Sequence, residues 1–343
     1  MKRLFFLLFI FLIITLNGCG GGPIAGSTTT TTTSDGSSST TTTTAASSDN
    51  YTWTAETTAS SRNWHSIASS SDGTTLVAAV YGGYIYTSSN SGSSWTVRSG
   101  GGSRNWYAIA SSSDGTKLAA TVYGGYIYTS TDSGSTWTSQ TGAGSRNWYA
   151  IASSSDGTAL AAVVYGGYIY TSTDSGSTWT SQTSASSRNW YAIASSSDGT
   201  ALAAVVYGGY IYTSTDSGSK WTAQTSGGID YWNSIASSSD GTVLAATVYG
   251  GYIYISTDSG STWTAQTSVG TGNWHSIVLS SDGTVLAAAV YGGYIYISTD
   301  SGSTWTTQTS AGSRDWYSIA SSSDGKKLAA TVYGGYIYIG SSN

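Results

Sequence analysis

The sequence predicts an all-β fold, a seven-bladed β-propeller of four-stranded antiparallel blades closed by an amino-terminal outer strand. Three observations carry this. The hexapeptide Tyr-Gly-Gly-Tyr-Ile-Tyr occurs seven times, beginning at Tyr81, Tyr123, Tyr165, Tyr207, Tyr249, Tyr291 and Tyr333, always 42 residues apart, and a period of about 40 to 45 residues is that of a propeller blade. Residues 50 to 343 make 294 positions, seven such periods with nothing left for a second domain. Within the array β-branched and aromatic residues dominate and the one proline, Pro23, lies ahead of it, so helix is hard to place anywhere.

Residues 1 to 18 read as an export signal. Lys2 and Arg3 form a basic start, and residues 4 to 16 are an almost wholly apolar run too short for a comfortable membrane span. The segment Leu16-Asn17-Gly18-Cys19 resembles the lipobox of bacterial lipoproteins, with an apolar residue three before the cysteine and a small one just before it. The resemblance implies cleavage before Cys19, lipidation of its sulfur and membrane attachment through that lipid. The protein is then expected on the outside of the cytoplasmic membrane or in an outer membrane. Cys19 is the only cysteine, which leaves no disulfide to form within the chain. Residues 19 to 49 are mostly Gly, Ser and Thr with almost nothing apolar to bury, and are expected to form a disordered tether with a span of roughly 30 Å.

One repeat, residues 104 to 145, shows the strands. Residues 106–112 and 117–123 are short apolar runs joined by the turn Ser113-Asp114-Gly115-Thr116, where Gly supplies positive φ and Asp bonds its own turn backbone. Residues 126–130 alternate aromatic and aliphatic side chains, and 137–141 form a β-branched, polar-facing run. Small or apolar side chains on both faces of the second strand suit the crowding between blades near the axis. Charged residues are only 8% of the chain, so solubility falls to the Ser, Thr and Gly of turns and outer strands.

Between the third and fourth strands lies Ser130-Thr131-Asp132-Ser133-Gly134-Ser135-Thr136-Trp137. It resembles the Asp-box, Ser-x-Asp-x-Gly-x-(Ser/Thr)-Trp, of the bacterial-neuraminidase-repeat families, and recurs in phase at Asp174, Asp216, Asp258 and Asp300, with Asn90 in the first repeat. Families sharing the box include sialidases, sortilin-type receptors, xyloglucan-cleaving hydrolases and photosystem II assembly-factor propellers. The box carboxylates are read as structural turn caps rather than as acids or metal ligands, since each box offers a single carboxylate where a calcium loop supplies several. The seventh repeat stops before its box, and Tyr51-Thr52-Trp53-Thr54 matches a fourth strand in phase with Trp95 and Trp137. This amino-terminal strand is expected to complete the last blade and remove its exposed edge.

In such a blade the Ser-Arg-Asn-Trp entry loops and the Tyr-Gly-Gly-Tyr hairpins share one face, and the Ser-Asp-Gly turns and Asp-boxes share the other. The candidate ligand-binding residues are therefore Arg62, Arg104, Arg146, Arg188 and Arg314, with Asp230 and Gly272 breaking the arginine series, and Trp64, Trp106, Trp148, Trp190, Trp232, Trp274 and Trp316. Aromatics beside Arg and Asn suit sugar stacking or recognition of an acidic partner. The same aromatics equally suit packing between blades, and the arginines simple solvation of a loop. His65 and His275 stand where other repeats have tyrosine and are read as packing variants.

Catalysis would need asymmetry among the blades. Sialidase resemblance would imply an arginine triad, a glutamate-activated tyrosine and an acid-base aspartate, but the only glutamate, Glu56, is on the closing strand. A xyloglucan hydrolase would need two facing aspartates, for which Asp230 and Asp315 are the weak candidates. Without Lys2 and Arg3 the chain carries 10 Lys plus Arg against 17 Asp plus Glu, which argues against a nucleic-acid partner. No Cys/His cluster or phosphate loop suggests a metal or a cofactor. The sequence thus points to a monomeric, lipid-anchored, non-enzymatic binding or scaffolding module for a glycan or an envelope protein. A glycoside hydrolase and an assembly factor for a membrane complex are the alternatives.

Overall fold

The computed structural model describes residues 50–342 and, ahead of them, Thr31–Thr32 and Ser38–Ser39. These two dipeptides pair antiparallel within a unit of their own, residues 1–47. The expected export signal, Cys19 and the remainder of the expected tether lie outside the described residues.

Residues 50–342 form a closed ring of antiparallel strands, a β-propeller. In the repeat that begins at Arg104 the strands are Arg104–Ser111, Leu118–Gly125, Ile127–Ser130 and Thr138–Gln140, each paired antiparallel with the next. The first two slip by one residue at Tyr107, since Trp106 lies opposite Val122 and Ala108 opposite Thr121. The same bulge recurs at His65, Tyr149, Tyr191, Asn233, His275 and Tyr317. A bulge re-aims the side chain of the extra residue, and these seven are the residues that meet at the axis.

One expectation needs correction. The Ser-Arg-Asn-Trp segments are not entry loops. Arg104 and Asn105 open a strand and pair with the preceding repeat, Arg104 opposite Gly83 and Asn105 opposite Tyr81. The equivalent bridge forms at every junction, including the one from last repeat to first, where Gly335 faces Arg62 and Tyr333 faces Asn63. These backbone groups would otherwise need water or side chains to satisfy them.

Two further connections close the ring. Tyr51–Glu56 pairs with Ile337–Ser342 in the fourth-strand position, and the Tyr51 hydroxyl donates to the Gly325 carbonyl at 2.5 Å. At the end of the molecule that carries the Ser-Asp-Gly turns, a single backbone hydrogen bond links each repeat to the next. Ser71 N–H donates to Ser113 O, Ser113 to Ser155, and so on through Ser197, Ser239, Ser281 and Ser323, whose N–H returns to Ser71 O, all at 2.7–2.8 Å.

The core lies between neighbouring repeats. Trp106 is fully buried, edge-on to Tyr128 at 5.1 Å and 6.0 Å from Trp137, while Ala119 and Ala120 let the next sheet approach. Trp53 takes the matching place against Trp316, at 6.3 Å. The box turn is tied by its aspartate: Ser130 Oγ–H and Thr136 N–H donate to Asp132 Oδ1 at 2.8 Å, and the Thr136 hydroxyl donates to Oδ2 at 2.7 Å. Gly134, at φ +81°, sits in the left-handed region and gives its N–H to Ser130 Oγ. Ser133, at φ +56°, shares that region, which residue type alone does not foretell. Asn90 holds its own turn with one amide oxygen, which accepts from Ser94 N–H at 2.9 Å.

Candidate binding face

The Tyr-Gly-Gly-Tyr hairpin is tight because Val122 N–H donates to Tyr126 O at 3.1 Å and Gly124 takes φ +69°. That geometry leaves both tyrosines half-exposed, Tyr123 at 37% and Tyr126 at 36%. Arg146 lies opposite Gly125 and Asn147 opposite Tyr123, so the arginines and the rim tyrosines share one end of the ring.

The arginines are not simply solvated, which sets aside the plainer of the two readings given to them. In each of the five, Nε–H donates to a backbone carbonyl three residues earlier at 2.7–3.1 Å. The guanidinium carbon of each stands 4.6–4.8 Å above a buried tyrosine of the third strand, Tyr86, Tyr128, Tyr170, Tyr212 or Tyr338. Stacking and the Nε bond fix the plane of the fork, and the arginines remain half-buried to exposed. Asp230 and Gly272 remove this arrangement from two successive repeats. At the first, burial and then the Asp230 carboxylate raise the Tyr254 hydroxyl above its usual value.

The seven tryptophans do not belong to the face. Trp64, Trp106, Trp148, Trp190, Trp232, Trp274 and Trp316 are all 0–1% exposed, each packed edge-on against a third-strand tyrosine of its own repeat, with Trp95 and Trp137 beside the first two and Trp53 beside the last. They are core, and a ligand cannot reach them.

What reaches the axis instead is the bulged position. Adjacent rings there are in contact: Tyr317 and His65 at 4.6 Å, His65 and Tyr107 at 4.1 Å, Tyr107 and Tyr149 at 4.7 Å, Tyr149 and Tyr191 at 5.2 Å, and His275 and Tyr317 at 4.0 Å. Asn233, at the remaining bulge, donates from Nδ2 to the carbonyls of Trp274 and His275. Burial, and then the other phenols converging on the axis, raise the hydroxyls of Tyr107, Tyr191 and Tyr317, that of Tyr191 to about 12. Burial lowers His65 to about 4 and also lowers His275. Each histidine donates from Nδ1 to a backbone carbonyl at 2.6 Å, Tyr107 O for His65 and Tyr317 O for His275, which leaves His65 Nε2 to accept from the Tyr317 hydroxyl at 3.0 Å. The axial floor is therefore aromatic, hydroxyl-rich and uncharged at neutral pH.

Above that floor the rim tyrosines widen the mouth into a basin lined by His65, Tyr81, Tyr107, Tyr123, Tyr149, Tyr291, Tyr317 and Tyr333. Sequence reasoning named the hairpins but not this convergence. The available signal was the variability of one position between otherwise similar repeats: His65, Tyr107, Tyr149, Tyr191, Asn233, His275, Tyr317.

The carboxylate candidates are not seen as a pair. Asp230 opens the strand Asp230–Ser237 and accepts from Tyr231 N–H at 2.8 Å, whereas Asp315 lies opposite Tyr291, whose hydroxyl is raised first by burial and then by this carboxylate. Among the described residues no three His, Cys, Asp or Glu side chains gather as a metal site. At the opposite end of the ring, hydrogen bonds from Ser and Thr hold the turn and box aspartates below the usual carboxylate range, Asp72, Asp114, Asp132, Asp156 and Asp240 at about 2. The molecule is thus polar along its axis, with arginine and tyrosine at one mouth and ionised aspartates around the other.

No family model matches the chain, and a search of the curated proteins finds no match. Solved structures do resemble it. YCF48 from Cyanidioschyzon merolae is similar over 84% of this chain and 98% of its own, at 16% identity and a TM-score of 0.66. A structure of YCF48 bound to D1 peptide is similar over 87% and 99%, at 14% identity and 0.69. The GH74 xyloglucanase from Xanthomonas campestris is similar over 83% of this chain and 53% of its own, at 14% identity and 0.64. At these identities the likeness shows the fold, a closed β-propeller, and nothing finer.

Proposed function

We propose that the chain is a seven-bladed, four-stranded propeller of the Asp-box kind, exported and anchored through a lipid on Cys19, and that it works as a non-enzymatic binding or scaffolding module for a glycan or a protein of the cell envelope. The observation that supports this best is the arginine and tyrosine mouth. Five guanidinium forks are held in one repeated setting around a basin that has no charged group in its lining. Such a face can hold a ligand at several points at once, and several weak contacts give an avidity that no single one supplies. The YCF48 structure with D1 peptide supports a protein segment as one kind of ligand for this shape.

The test has two parts. Cys19→Ser is expected to release the exported protein from membranes, because the Gly/Ser/Thr stretch offers no other apolar anchor; retention of the variant in the detergent-extractable fraction would remove the lipoprotein reading. Replacing Arg62, Arg104, Arg146, Arg188 and Arg314 together by Lys keeps the charge and loses the stacked fork. Capture of an envelope fraction by the immobilised chain should fall at least tenfold, and capture equal to the parent would take the arginines out of the function.

A glycoside hydrolase is the second reading, favoured by the likeness to the xyloglucanase. This chain matches about half the length of that enzyme, and Asp230 and Asp315 would have to supply both carboxylates. Turnover of a xyloglucan or fluorogenic glycoside panel that disappears in Asp230→Asn and Asp315→Asn would establish it.

A further inference from the structure

We propose that the axial basin is a binding site for an uncharged saccharide, which rests on the binding-module reading above and adds to its arginine contacts a second, separate site with its own ligand class. The basin is open to solvent and offers about 530 Å³, within the range of about 300–1,000 Å³ usual for small-molecule sites. Its lining selects the ligand. Seven phenols and one imidazole surround it, and burial keeps that imidazole neutral. An anion entering here would leave water without a counter-charge, since the arginines are stacked on the third-strand tyrosines rather than turned into the basin. A hydrocarbon would cover the phenol hydroxyls and leave them unpaired. A quaternary ammonium would use the ring faces but give the hydroxyls no partner.

A neutral sugar matches both halves of each phenol. Its C–H face covers an aromatic ring while its hydroxyls exchange hydrogen bonds with the Tyr oxygens. The two tiers divide the work. The floor rings are fixed by contact with one another at 4.0–5.2 Å and by the Tyr317 hydroxyl on His65, so little ordering remains to be done on binding. The rim tyrosines stand half-exposed, Tyr123 at 37%, Tyr291 and Tyr333 at 38%, free to lie against a ring entering from solvent.

The experiment titrates the full chain with cellotetraose and maltotetraose as uncharged probes, and with choline and sialyllactose as charged ones, by isothermal calorimetry. Saturable binding of an uncharged oligosaccharide is expected. The double variant Tyr81→Ala, Tyr123→Ala should weaken it at least tenfold without moving the melt, and Tyr317→Phe, which keeps the ring and loses one hydroxyl, about fivefold. Absence of binding by both uncharged probes would overturn the proposal, as would choline binding alone, which would make the basin a cation cage. Sugar binding indifferent to the rim variants would also overturn it by placing the site elsewhere. The five-arginine Lys variant separates the two readings: it should bind the tetrasaccharide like the parent even where envelope capture is lost. Envelope capture that survives without any sugar binding would sink the basin and leave the binding module standing.

Discussion

The two mouths of the ring are built on opposite plans. At one, the triplet Ser-Ser-Ser recurs in every repeat save the one with Leu279, and the backbone of its last serine joins each repeat to the next. At the other, the residues at equivalent places differ from repeat to repeat: arginine, aspartate or glycine at the strand start, and tyrosine, histidine or asparagine at the axis. The serine mouth repeats itself and its residues satisfy one another. The arginine and tyrosine mouth combines an unvarying part, the Tyr-Gly-Gly-Tyr hairpins whose tyrosines line the basin, with the two positions that vary. Divergence between copies thus marks the axis and the strand starts, while the rim is marked by exposure instead.

The most severe way to break this contrast is to leave the ring to the contacts between repeats. Deleting residues 50 to 58 removes the strand beside Ile337–Ser342 and uncovers Trp316 and Tyr338. The edge left behind is unpaired, and the melt should lose its cooperativity or fall by more than 10 °C; a neutral deletion would mean that the inter-repeat bridges close the fold by themselves. Next, Ser113→Pro takes away one donor of the serine circle, the N–H to Ser155 O at 2.7 Å. A cost of about 1–3 kcal/mol is expected by denaturant unfolding, since the Ser155 carbonyl loses its partner, against less than about 1 kcal/mol for Tyr123→Ala at the other mouth. Equal costs would erase the distinction between the two ends.

Acid should separate the mouths as well. His65 is held at about 4 in the fold against an ordinary 6.5, so the folded state resists a proton that the unfolded chain accepts. The stability from this depression is fully present above pH 6.5 and is lost as pH falls toward 4, by at most about 3 kcal/mol. His65→Tyr, the residue of four sister repeats, should flatten that segment of the stability profile, and an unchanged profile would show that the histidine does not titrate with unfolding. The exposed turn aspartates act in a lower window. Their folded values are depressed, to about 2 for Asp72 and Asp132, so what they contribute disappears only as pH falls from about 4 through 2. The smallest effect belongs to a single box: Asp132→Ala should cost about 1 kcal/mol, from the loss of its bonds to Ser130 and Thr136. A cost near zero would show that the turn is held by Trp137 and Gly134 alone.

Much of the architecture was legible because it is written in side-chain periodicity. The 42-residue interval, the Ser-Asp-Gly turn at Asp114 and the box turn at Asp132 all stand where their residue types place them. What was not legible depends on backbone contacts between repeats, which leave no mark on hydrophobic pattern. Arg104 and Asn105 look like a polar loop, yet they pair with Gly83 and Tyr81. Serine at 71, 113 and 155 looks like generic turn composition, yet its main chain links repeats. The candidate site was half legible for a related reason. Trp106 and Tyr107 are neighbours in sequence and equally aromatic, yet one is buried in the core and the other, the extra residue of the bulge, stands at the axis.

The serine circle has a meaning for where the polypeptide starts. Seven donors and seven acceptors run head to tail with no first member, so in that part of the molecule the order of the repeats along the chain is invisible. The ends fall between a third and a fourth strand only because Tyr51–Glu56 happens to be joined in front of the array. Each of the six box hairpins is an equivalent place to cut and reseal, and the six permuted orders would trace the same ring as the present one.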